Sequence, residues 1–389
     1  MMPMEIAPGI YDVGATDWIV RDFHGYKTER GASYNSYLIV DEKICLIDTV
    51  KACYADELLE KISRVADPAK IDYVVVNHVE PDHAGALPEV LKAAPNAKFV
   101  ITMQGKNEAL RHYGDGFDFM VVKEGDKISL GSRELTFVPM PMLHWPDNMV
   151  TYCPQDGILF SNDAFGQHYA SSKRFDDEVD EYVLFYEAKK YFANILWPYA
   201  RLIGGALKKA SALNIKMIAP AHGVIWRSKI AQILEKYAAW GTGVNGKSVV
   251  IAYDTMWGGT EALARAMVEG AAAAGVKVQL MRMDRTPCST VAAELFEAGG
   301  LLVGSPTLNS GMMPTIGGML VYLKGLQPKG KKAAAFGTCG WAGGAQKDME
   351  AMLTAGGFDL QPGFNCKWRG CVDEIEAARQ FAYEFAKNL

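Results

Sequence analysis

Short apolar runs separated by polar turns fill the chain as far as Trp240. Seven of these runs have the length and composition of strands: SYLIV, ICLID, YVVVNH, KFVIT, LTFVPM, ILFSND and IKMIAPAHG. Two stretches between them, YADELLEKISRV and LPEVLKAA, show the apolar spacing of amphipathic helices. Strands interspersed with helices in this way predict a mixed α/β sandwich.

The pattern becomes stricter after Trp240. The strand SVVIAYD leads to a helix from Thr260, and the strand VKVQLMRM is followed by a helix near Val291. The strands GLLVGSP and KKAAAFG come next, and a closing helix starts at Asp373. Regular alternation of strands and helices predicts a doubly wound parallel sheet.

A change of domain is predicted where the two patterns meet. The helical stretch ends near Trp240 in a glycine-rich linker, residues 241–246, and a new strand opens at Ser248. The chain of 389 residues is also longer than one hydrophobic core usually organises. We therefore expect two domains, residues 1–246 and residues 247–389.

Composition and charge narrow the class of partner. Hydrophobic residues make up 49% and charged residues 22%, as in ordinary globular proteins. The net charge is −5 and no dense basic cluster occurs, which disfavours nucleic acid and anionic membranes. We expect no membrane span and no signal peptide, since long apolar runs are missing. Seven scattered cysteines without a CxxC pair argue against disulfides, a zinc ribbon or a rubredoxin-type site, so a cytoplasmic location is expected.

Metal-binding side chains follow four of the apolar runs. They are His78, Glu80, Asp82 and His83 after YVVVN, then His144, Asp163 and His222 after LTFVPMPML, GILFSN and IKMIAPA. Taken alone, each has a simpler interpretation as part of a hydrogen-bonded turn, a helix cap or a capped loop. Their joint occurrence at four strand ends predicts one metal centre, provided that the strands share a sheet.

The spacing H-x-E-x-D-H, followed by separated His, Asp and His, resembles the metallo-β-lactamase fold in its iron-binding version. Zinc hydrolases of that superfamily carry a second histidine where this chain has Glu80, and a carboxylate is a harder donor that favours iron. The resemblance implies an αββα sandwich in which Asp163 bridges two irons. It assigns the other ligands to the irons in two groups: His78, Glu80 and His144 to one, and Asp82, His83 and His222 to the other, although the family position of His83 does not always coordinate.

Two further histidines are left outside this ligand set. His24 in RDFHGY resembles a family stretch near the pocket mouth, but a structural loop histidine is the better interpretation. His168 follows Asp163 by a few residues, and the sequence leaves its direction open between pocket and solvent.

Loops after three strands of the second half carry small and hydroxylated residues. YDTMWGGTE lies between a strand and a helix, where backbone N–H groups and a helix N-terminus bind phosphate. It is not the GxGxxG fingerprint; it resembles the phosphate loop of flavodoxins, which hold FMN. GSPTLNSG and GTCGWAGG follow the third and fourth strands of this half at the same expected rim, although such loops also occur without a ligand. By this resemblance the FMN contacts are Thr255, Met256, Trp257, Gly258, Gly259, Thr260, Pro306, Thr307, Leu308, Asn309, Thr338, Cys339, Gly340, Trp341, Ala342 and Gly343.

A metallo-β-lactamase-like diiron domain followed by a flavodoxin-like domain is the architecture of flavodiiron proteins, or A-type flavoproteins. The chain resembles this family along essentially its whole length. The resemblance implies an oxidoreductase that reduces O2 to water, NO to N2O, or both, at a non-haem diiron site without a separate side-chain nucleophile. It further implies FMN as an electron relay, rubredoxin or a similar external donor, and a head-to-tail homodimer or a dimer of dimers.

Two other functions are weighed against this one. A zinc-dependent hydrolase of the metallo-β-lactamase superfamily fused to a flavodoxin-like domain would use a metal-bound hydroxide, and Glu80 argues against it. A non-enzymatic electron carrier would need a closed structural site, whereas seven ligands shared by two metals leave open positions. The choice between O2 and NO is not decided by the sequence. His24, Tyr26, Trp145 and Tyr191 are candidates for setting it, and we favour a dual capability.

Overall fold

The computed structural model describes residues 2–389, which fall into two compact units. Unit 1 contains the chain up to Arg21, Thr28–Tyr191 and Arg201–Ala238, and unit 2 contains Asp22–Lys27, Phe192–Ala200 and Ala239–Leu389. Two short segments from the first half of the sequence therefore belong to unit 2. The expected division between residues 246 and 247 stays a prediction of where the functional domains meet.

The strands of unit 1 are β1 (Met4–Ala7), β2 (Ile10–Asp12), β3 (Ala15–Asp17), β4 (Ala32–Tyr34), β5 (Tyr37–Val40), β6 (Ile44–Ile47), β7 (Ile71–Val75), β8 (Lys98–Ile101), β9 (Asp118–Val121), β10 (Lys127–Ser129), β11 (Glu134–Pro139), β12 (Met149–Cys153), β13 (Ile158–Asn162) and β14 (Met217–Pro220). The strands of unit 2 are β15 (Gly246–Tyr253), β16 (Lys277–Arg282), β17 (Ala298–Pro306), β18 (Lys332–Cys339), β19 (Asp359–Leu360) and β20 (Phe364–Lys367).

The α-helices are α1 (Ala55–Ser63), α2 (Pro81–Ala84), α3 (Leu87–Ala93), α4 (Met103–Tyr113), α5 (Glu181–Tyr191), α6 (Ile203–Ala210), α7 (Ile230–Thr242), α8 (Gly259–Ala273), α9 (Cys288–Glu297), α10 (Pro314–Leu326), α11 (Ala345–Ala355) and α12 (Val372–Lys387). Short 3-10 turns cover Ala52–Tyr54, Pro68–Lys70 and Trp197–Leu202, and a π-helical turn covers Phe192–Leu196.

Unit 1 is built on two sheets that share a core. The larger sheet has the order β1-β2-β5-β6-β7-β8-β9 and the smaller has the order β10-β11-β12-β13-β14. Successive side chains of a strand point to opposite faces, so Tyr37 and Ile39 of β5 lie on one face and Leu38 on the other. Tyr37 and Ile39 pack in one buried cluster with Phe137 and Phe160 of the smaller sheet. The sheets are therefore packed face to face.

Helices cover the outer face of the larger sheet. Leu38 lies in a second buried cluster with Leu58 and Ile62 of α1 and Val90 of α3. On the smaller sheet, β12 and β13 pack their outward side chains against the segment that follows α6, around Leu213. These layers give the predicted αββα sandwich.

Unit 2 contains a parallel sheet with the order β16-β15-β17-β18-β19, and β20 also pairs with β18. In chain order this is 2-1-3-4-5, the strand order of flavodoxin-like doubly wound sheets. Both faces are buried: Val250 and Leu301 pack on one side and Val249 and Leu302 on the other. The predicted doubly wound sheet is confirmed.

The predicted glycine-rich linker at residues 241–246 is wrong in extent. Helix α7 continues to Thr242 and β15 already begins at Gly246. The indole N–H of Trp240 donates to Glu297 Oε1 at 3.0 Å, which anchors the end of the helix. Gly246 pairs with Ala298, and a side chain there would lie 2.7 Å from the carbonyl oxygen of Glu297. Glycine at this position thus permits close strand packing, whereas the sequence analysis assigned it to a linker.

Candidate metal centre and flavin cavity

The seven predicted metal ligands follow the ends of strands in unit 1. After β7 the chain passes through His78 and Glu80 into the short helix α2, which carries Asp82 and His83. The remaining ligands follow three strands of the smaller sheet: His144 comes after β11, Asp163 directly after β13 and His222 shortly after β14. The structure brings all seven side chains together.

Glu80 and one oxygen of Asp163 connect the first two histidines. Glu80 Oε2 lies 3.3 Å from the Nε2 atoms of both His78 and His144. Asp163 Oδ2 lies 3.7 Å from His78 Nε2 and 3.5 Å from His144 Nε2. His78, Glu80 and His144 are termed the first ligand set.

Asp82 and the other oxygen of Asp163 connect the remaining histidines. Asp82 Oδ1 lies 3.2 Å from His83 Nε2, and Asp82 Oδ2 lies 3.2 Å from His222 Nε2. Asp163 Oδ1 lies 3.5 Å from His83 Nε2 and 3.4 Å from His222 Nε2. Asp82, His83 and His222 are termed the second ligand set. Because each oxygen of Asp163 faces one set, its carboxylate stands between the two.

Hydrogen-bond acceptors next to the Nδ1 atoms of the imidazole rings orient His78 and His222. His78 Nδ1 lies 2.9 and 3.0 Å from the oxygens of Asp147, which also accepts the N–H of Val79 at 2.8 Å. His222 Nδ1 lies 2.6 Å from the carbonyl oxygen of Ser33. A carbonyl oxygen only accepts, so His222 carries its proton on Nδ1 and turns Nε2 toward the carboxylates. Asp147 was missed by the sequence analysis, although it lies three residues after His144 in the stretch HWPDN.

Further hydrogen bonds fix Asp163 and the loop after β7 in position. The hydroxyl of Tyr191 donates to Asp163 Oδ1 at 2.8 Å. Beneath the loop after β7, the backbone N–H and the side-chain amide of Asn77 donate to Asp48 at 2.7 and 2.9 Å. Thr151 donates in turn to the amide oxygen of Asn77 at 2.7 Å. The loop that carries the first ligands is thus tied to both sheets.

The carboxylates of the site are held ionised. Burial disfavours their charge, but hydrogen bonds from histidines, His144 first, lower the pKa of Glu80 to about 2. For Asp82 burial is again outweighed, by the charge of His83 and by further histidine contacts, and the pKa lies well below its usual range. The pKa of Asp163 is lowered in the same manner. The site therefore presents negative charge to any ion that enters it.

The histidines show the opposite shift, which predicts a pH dependence for the metal-free protein. Burial lowers the pKa values of His144 and His222, but close contacts with carboxylates, Asp163 first, raise them to about 9 and about 10. Such groups stabilise the fold fully below the unfolded pKa of 6.5, and the stabilisation is lost as pH rises through the folded pKa. The urea midpoint of chelator-treated protein should therefore fall across this window. A constant or rising midpoint would contradict the prediction; metal-loaded protein, whose imidazoles are already deprotonated, is the control.

Several buried ligand atoms take part in no hydrogen bond within residues 2–389. They are Asp82 Oδ1, both ring nitrogens of His83 and Asp163 Oδ2. Buried polar atoms are normally satisfied, so this concentration indicates a missing partner. Imidazole nitrogens and carboxylate oxygens are ligands of first-row transition metals. The donor set fits metal ions.

The histidines left out of the ligand set have different surroundings. The ring of His168 is buried, with its centroid 5.0 Å from that of His222 and 5.1 Å from that of Tyr191. Burial lowers the pKa of His168 well below its usual value, so this ring faces the interior as a neutral group. His24 belongs to unit 2, where its ring centroid lies 4.5 Å from that of Phe23.

Unit 2 contains a cavity of about 570 Å³ at the carboxyl ends of β15, β17 and β18. All of the predicted flavin contacts line it except Gly258, Thr260 and Gly343. Ser310, Trp368 and Arg369 line it as well and were not predicted. The last two follow β20, a four-residue strand that the sequence analysis did not predict.

The loop between β15 and α8 presents backbone N–H groups at the start of a helix. Gly258, with φ of 82°, precedes the first turn of α8, and its N–H donates to Thr255 Oγ1 at 3.1 Å. The left-handed conformation at Gly258 is one that glycine adopts without strain. Thr260 Oγ1 lies 3.1 Å from Thr338 Oγ1 and is buried, which explains why Thr260 does not line the cavity. A helix N-terminus preceded by such a loop is suited to a phosphate group.

Three tryptophans surround the cavity mouth. Trp257 is 88% exposed and Trp341 is 89% exposed, and the ring centroids of Trp341 and Trp368 lie 5.9 Å apart. Large aromatic rings left in water beside a cavity are suited to cover a flat apolar ligand. The residues present therefore fit a flavin mononucleotide, with phosphate at the α8 loop and ring system among the tryptophans.

Comparison with known proteins identifies both halves of the chain. Residues 32–223 match the family described as ODP family beta lactamase, and residues 251–380 match the family described as flavodoxin. The protein thus belongs to the class in which a β-lactamase-like domain is followed by a flavodoxin domain.

Whole-chain relatives share this combination. A nitric oxide reductase of Moorella thermoacetica is 46% identical, with 100% of this chain and 99% of that protein covered. Solved structures include the flavodiiron protein of Giardia intestinalis, with a TM-score of 0.98, 38% identity and coverage of 100% of this chain and 96% of that one. The rubredoxin oxygen:oxidoreductase of Desulfovibrio gigas gives a TM-score of 0.97, 39% identity and coverage of 100% and 98%. The chain belongs to the flavodiiron protein family and is an oxidoreductase.

Within residues 2–389, no helix combines the length and the apolar character needed to cross a bilayer.

Proposed function

We propose that this protein reduces NO to N2O, O2 to water, or both, at a non-haem diiron site that receives electrons through FMN. The observation that carries the proposal is the position of Asp163, whose two oxygens face two separate ligand sets. A shared carboxylate in this position suits a pair of metal ions. The relatives named nitric oxide reductase and rubredoxin oxygen:oxidoreductase support both substrates.

The first ligand set would hold one iron and the second ligand set the other, with Asp163 bridging them. Glu80 supplies a hard anionic oxygen where zinc hydrolases use an imidazole, which favours iron over zinc. The donor set and the flavodoxin half of the chain therefore do not favour the hydrolase alternative. In this assignment residues 1–246 carry the metal centre and residues 247–389 carry the flavin.

When bound, two ferrous ions would supply reducing electrons and coordination positions for a diatomic gas. The protein's own contribution is to bind and orient. Glu80 and His144 are 13% and 14% exposed, whereas the other predicted ligands are 4% or less, so the site is accessible from their side. The Tyr191 hydroxyl holds a proton at Asp163 Oδ1. This arrangement requires no serine or cysteine nucleophile.

The cavity of unit 2 would hold FMN through the residues named for it above. Backbone N–H groups of the α8 loop bind the phosphate, and Trp257, Trp341 and Trp368 cover the ring system. Electrons would reach this site from rubredoxin or a similar small donor, as the relative named rubredoxin oxygen:oxidoreductase suggests.

We also propose a head-to-tail homodimer or a dimer of dimers, on the strength of family membership. A cytoplasmic location is supported by seven free cysteines. Sedimentation of the FMN-loaded protein tests the assembly: an active monomer would refute it.

The proposed function is tested by anaerobic metal and flavin analysis, followed by stopped-flow mixing of reduced protein with O2 and with NO. We expect about two irons and one FMN per chain and rapid reoxidation by at least one gas. The faster gas identifies the preferred substrate. Zinc in place of iron, or a reduced flavin that neither gas reoxidises, would refute the proposal.

Asp147→Asn should weaken metal binding without changing the fold. The substitution keeps the shape of the side chain but removes the charge that faces His78 Nδ1 at 2.9 Å. Loss of such a supporting carboxylate costs about 10 to 100-fold in metal affinity or activity. Iron retained after dialysis against a chelator measures the effect. Asp118→Asn, an exposed carboxylate of unit 1, is the control, and equal iron retention in both variants would contradict the prediction.

A further inference from the structure

Two tyrosines lie between the metal centre and the surface of unit 1. The ring centroid of Tyr34 is 6.0 Å from that of His222, and the ring centroid of Tyr54 is 5.6 Å from that of Tyr34. Tyr34 is buried and Tyr54 is half-buried, while the adjacent Cys53 is exposed. The two rings thus lead from a candidate metal ligand toward the surface, where the exposed Cys53 directly precedes Tyr54 in the chain.

The buried carboxylate of Asp17 interacts with the phenol groups of both Tyr34 and Tyr54. The hydroxyl of Tyr34 donates to Asp17 Oδ2 at 3.3 Å, while Asp17 Oδ1 is occupied by the backbone N–H groups of Ile19 and Val20. Burial, followed by the charge of Asp17 and a hydrogen bond to it, raises the pKa of Tyr54 to about 12. Burial and the charge of Asp17 also raise the pKa of Tyr34 well above its usual value. Both phenols are therefore protonated, and Asp17 is placed to accept a proton from either.

Lys51 determines the form in which Tyr34 can be oxidised. Lys51 Nζ lies 4.8 Å from the centroid of the Tyr34 ring. A cation over an aromatic face opposes a second positive charge on that ring. An electron therefore leaves Tyr34 most readily when the phenolic proton leaves with it, and Asp17 is the acceptor within reach.

We propose that Tyr34, Tyr54 and Asp17 form a proton-coupled route that carries oxidising equivalents from the metal centre to Cys53 at the surface. The route rests on the proposed function, since it needs an iron centre that reacts with O2. It operates when O2 reacts while electrons from the donor are lacking. Its use is to protect the buried ligands, because the equivalents end on an exposed thiol.

The route consists of three successive one-electron transfers. Tyr34 gives one electron to the oxidised centre and its phenolic proton to Asp17. Tyr54 then gives one electron to the Tyr34 radical and its proton to Asp17, which returns the first proton to Tyr34. The Cys53 thiol gives a hydrogen atom to the Tyr54 radical, and the resulting thiyl radical adds dissolved O2, the start of oxidation toward a sulfonic acid.

The test uses the iron- and FMN-loaded protein with and without ring-deuterated tyrosine. Reduced protein is mixed with excess O2 without an external donor, freeze-quenched and measured by electron paramagnetic resonance. We expect a radical signal that narrows on deuteration of tyrosine, which a flavin semiquinone would not do. Mass spectrometry of the same samples should show oxygen added to Cys53.

Three variants assign the signal to the route, and a fourth is the control. Tyr34→Phe should remove both the signal and the oxidation of Cys53. Tyr54→Phe should keep the signal and prevent the oxidation, and Cys53→Ser should lengthen the lifetime of the signal. Tyr152→Phe, whose hydroxyl donates to Asn214 O at 3.0 Å in the same unit, should behave as the parent protein.

The outcomes separate this inference from the proposed function. An iron-loaded protein that consumes O2 with its donor but gives no deuteration-sensitive signal overturns the route alone. So does a signal of equal size in Tyr34→Phe; if that variant does not fold, unchanged oxidation of Cys53 in Tyr54→Phe has the same meaning. Protein that takes up no iron overturns both.

Discussion

Asp163→Ala should lose both metal ions and all gas reduction. Each oxygen of Asp163 faces one ligand set, at 3.4 to 3.7 Å from the Nε2 atoms of the four ligand histidines. Without the shared carboxylate, neither set keeps its full complement of ligands, and the site loses one negative charge. The loss of metal affinity should exceed the roughly 100-fold cost of removing a supporting residue. Iron analysis and consumption of O2 and NO measure it.

The same variant should keep its flavin, because the cavity belongs to unit 2. FMN content and circular dichroism therefore show whether the protein has folded. Asp177→Ala is the matched control: Asp177 is exposed and pairs with Arg227 at 2.9 Å, an interaction worth about 0 to 1 kcal/mol. Full iron content in Asp163→Ala would show that Asp163 is not the bridging residue.

The strands and ligands were predictable where they depend on local pattern. The strand that contains Tyr37, Leu38 and Ile39 was predictable, because its alternate side chains pack in different hydrophobic clusters. The ligand types were recognisable because each follows a strand end, a position set by the chain itself.

The supporting contacts were not predictable, because they join distant parts of the chain. Asp147 meets His78 across 69 positions, and Ser33 meets His222 across 189. Only the packing of separate sheets brings such pairs together, and Ser33 lies in the two-stranded sheet β3-β4. Asp147 had a weak local signal in its closeness to His144, whereas the carbonyl of Ser33 had none.

Weak local signals also explain the missed parts of unit 2. Helix α10 contains the adjacent glycines Gly317 and Gly318, which lower intrinsic helix propensity, and its formation depends on burial of Met319 and Leu323. The strand β20 has four residues and is recognisable only through its pairing with β18. The cavity residues that follow it, such as Trp368, were missed for the same reason.

Gly259→Ala should release FMN while leaving the metal centre intact. A Cβ atom on Gly259 would lie 2.6 Å from the carbonyl oxygen of Trp368 and 3.4 Å from Arg369 Cα. The first contact is with backbone, so the loop that carries Trp368 and Arg369 must move, and both residues line the cavity. Loss of one aromatic contact and displacement of the cavity wall should raise the FMN dissociation constant about tenfold or more. Fluorescence titration of flavin-free protein with FMN measures the change.

The control for Gly259→Ala is Gly318→Ala, in which the same methyl group is added elsewhere in unit 2. A Cβ on Gly318 meets no atom within 4 Å in the part of the chain that the structure describes, and Gly318 lies within helix α10. Alanine should stabilise this helix by about 0.5 to 1 kcal/mol and leave FMN binding unchanged. Iron content should be normal in both variants, and electron transfer from the donor should fail only in Gly259→Ala.

Equal FMN affinity in the two variants would mean that the cavity wall at Trp368 does not contact the flavin. Loss of iron from Gly259→Ala would instead mean that the two cofactors are not held independently.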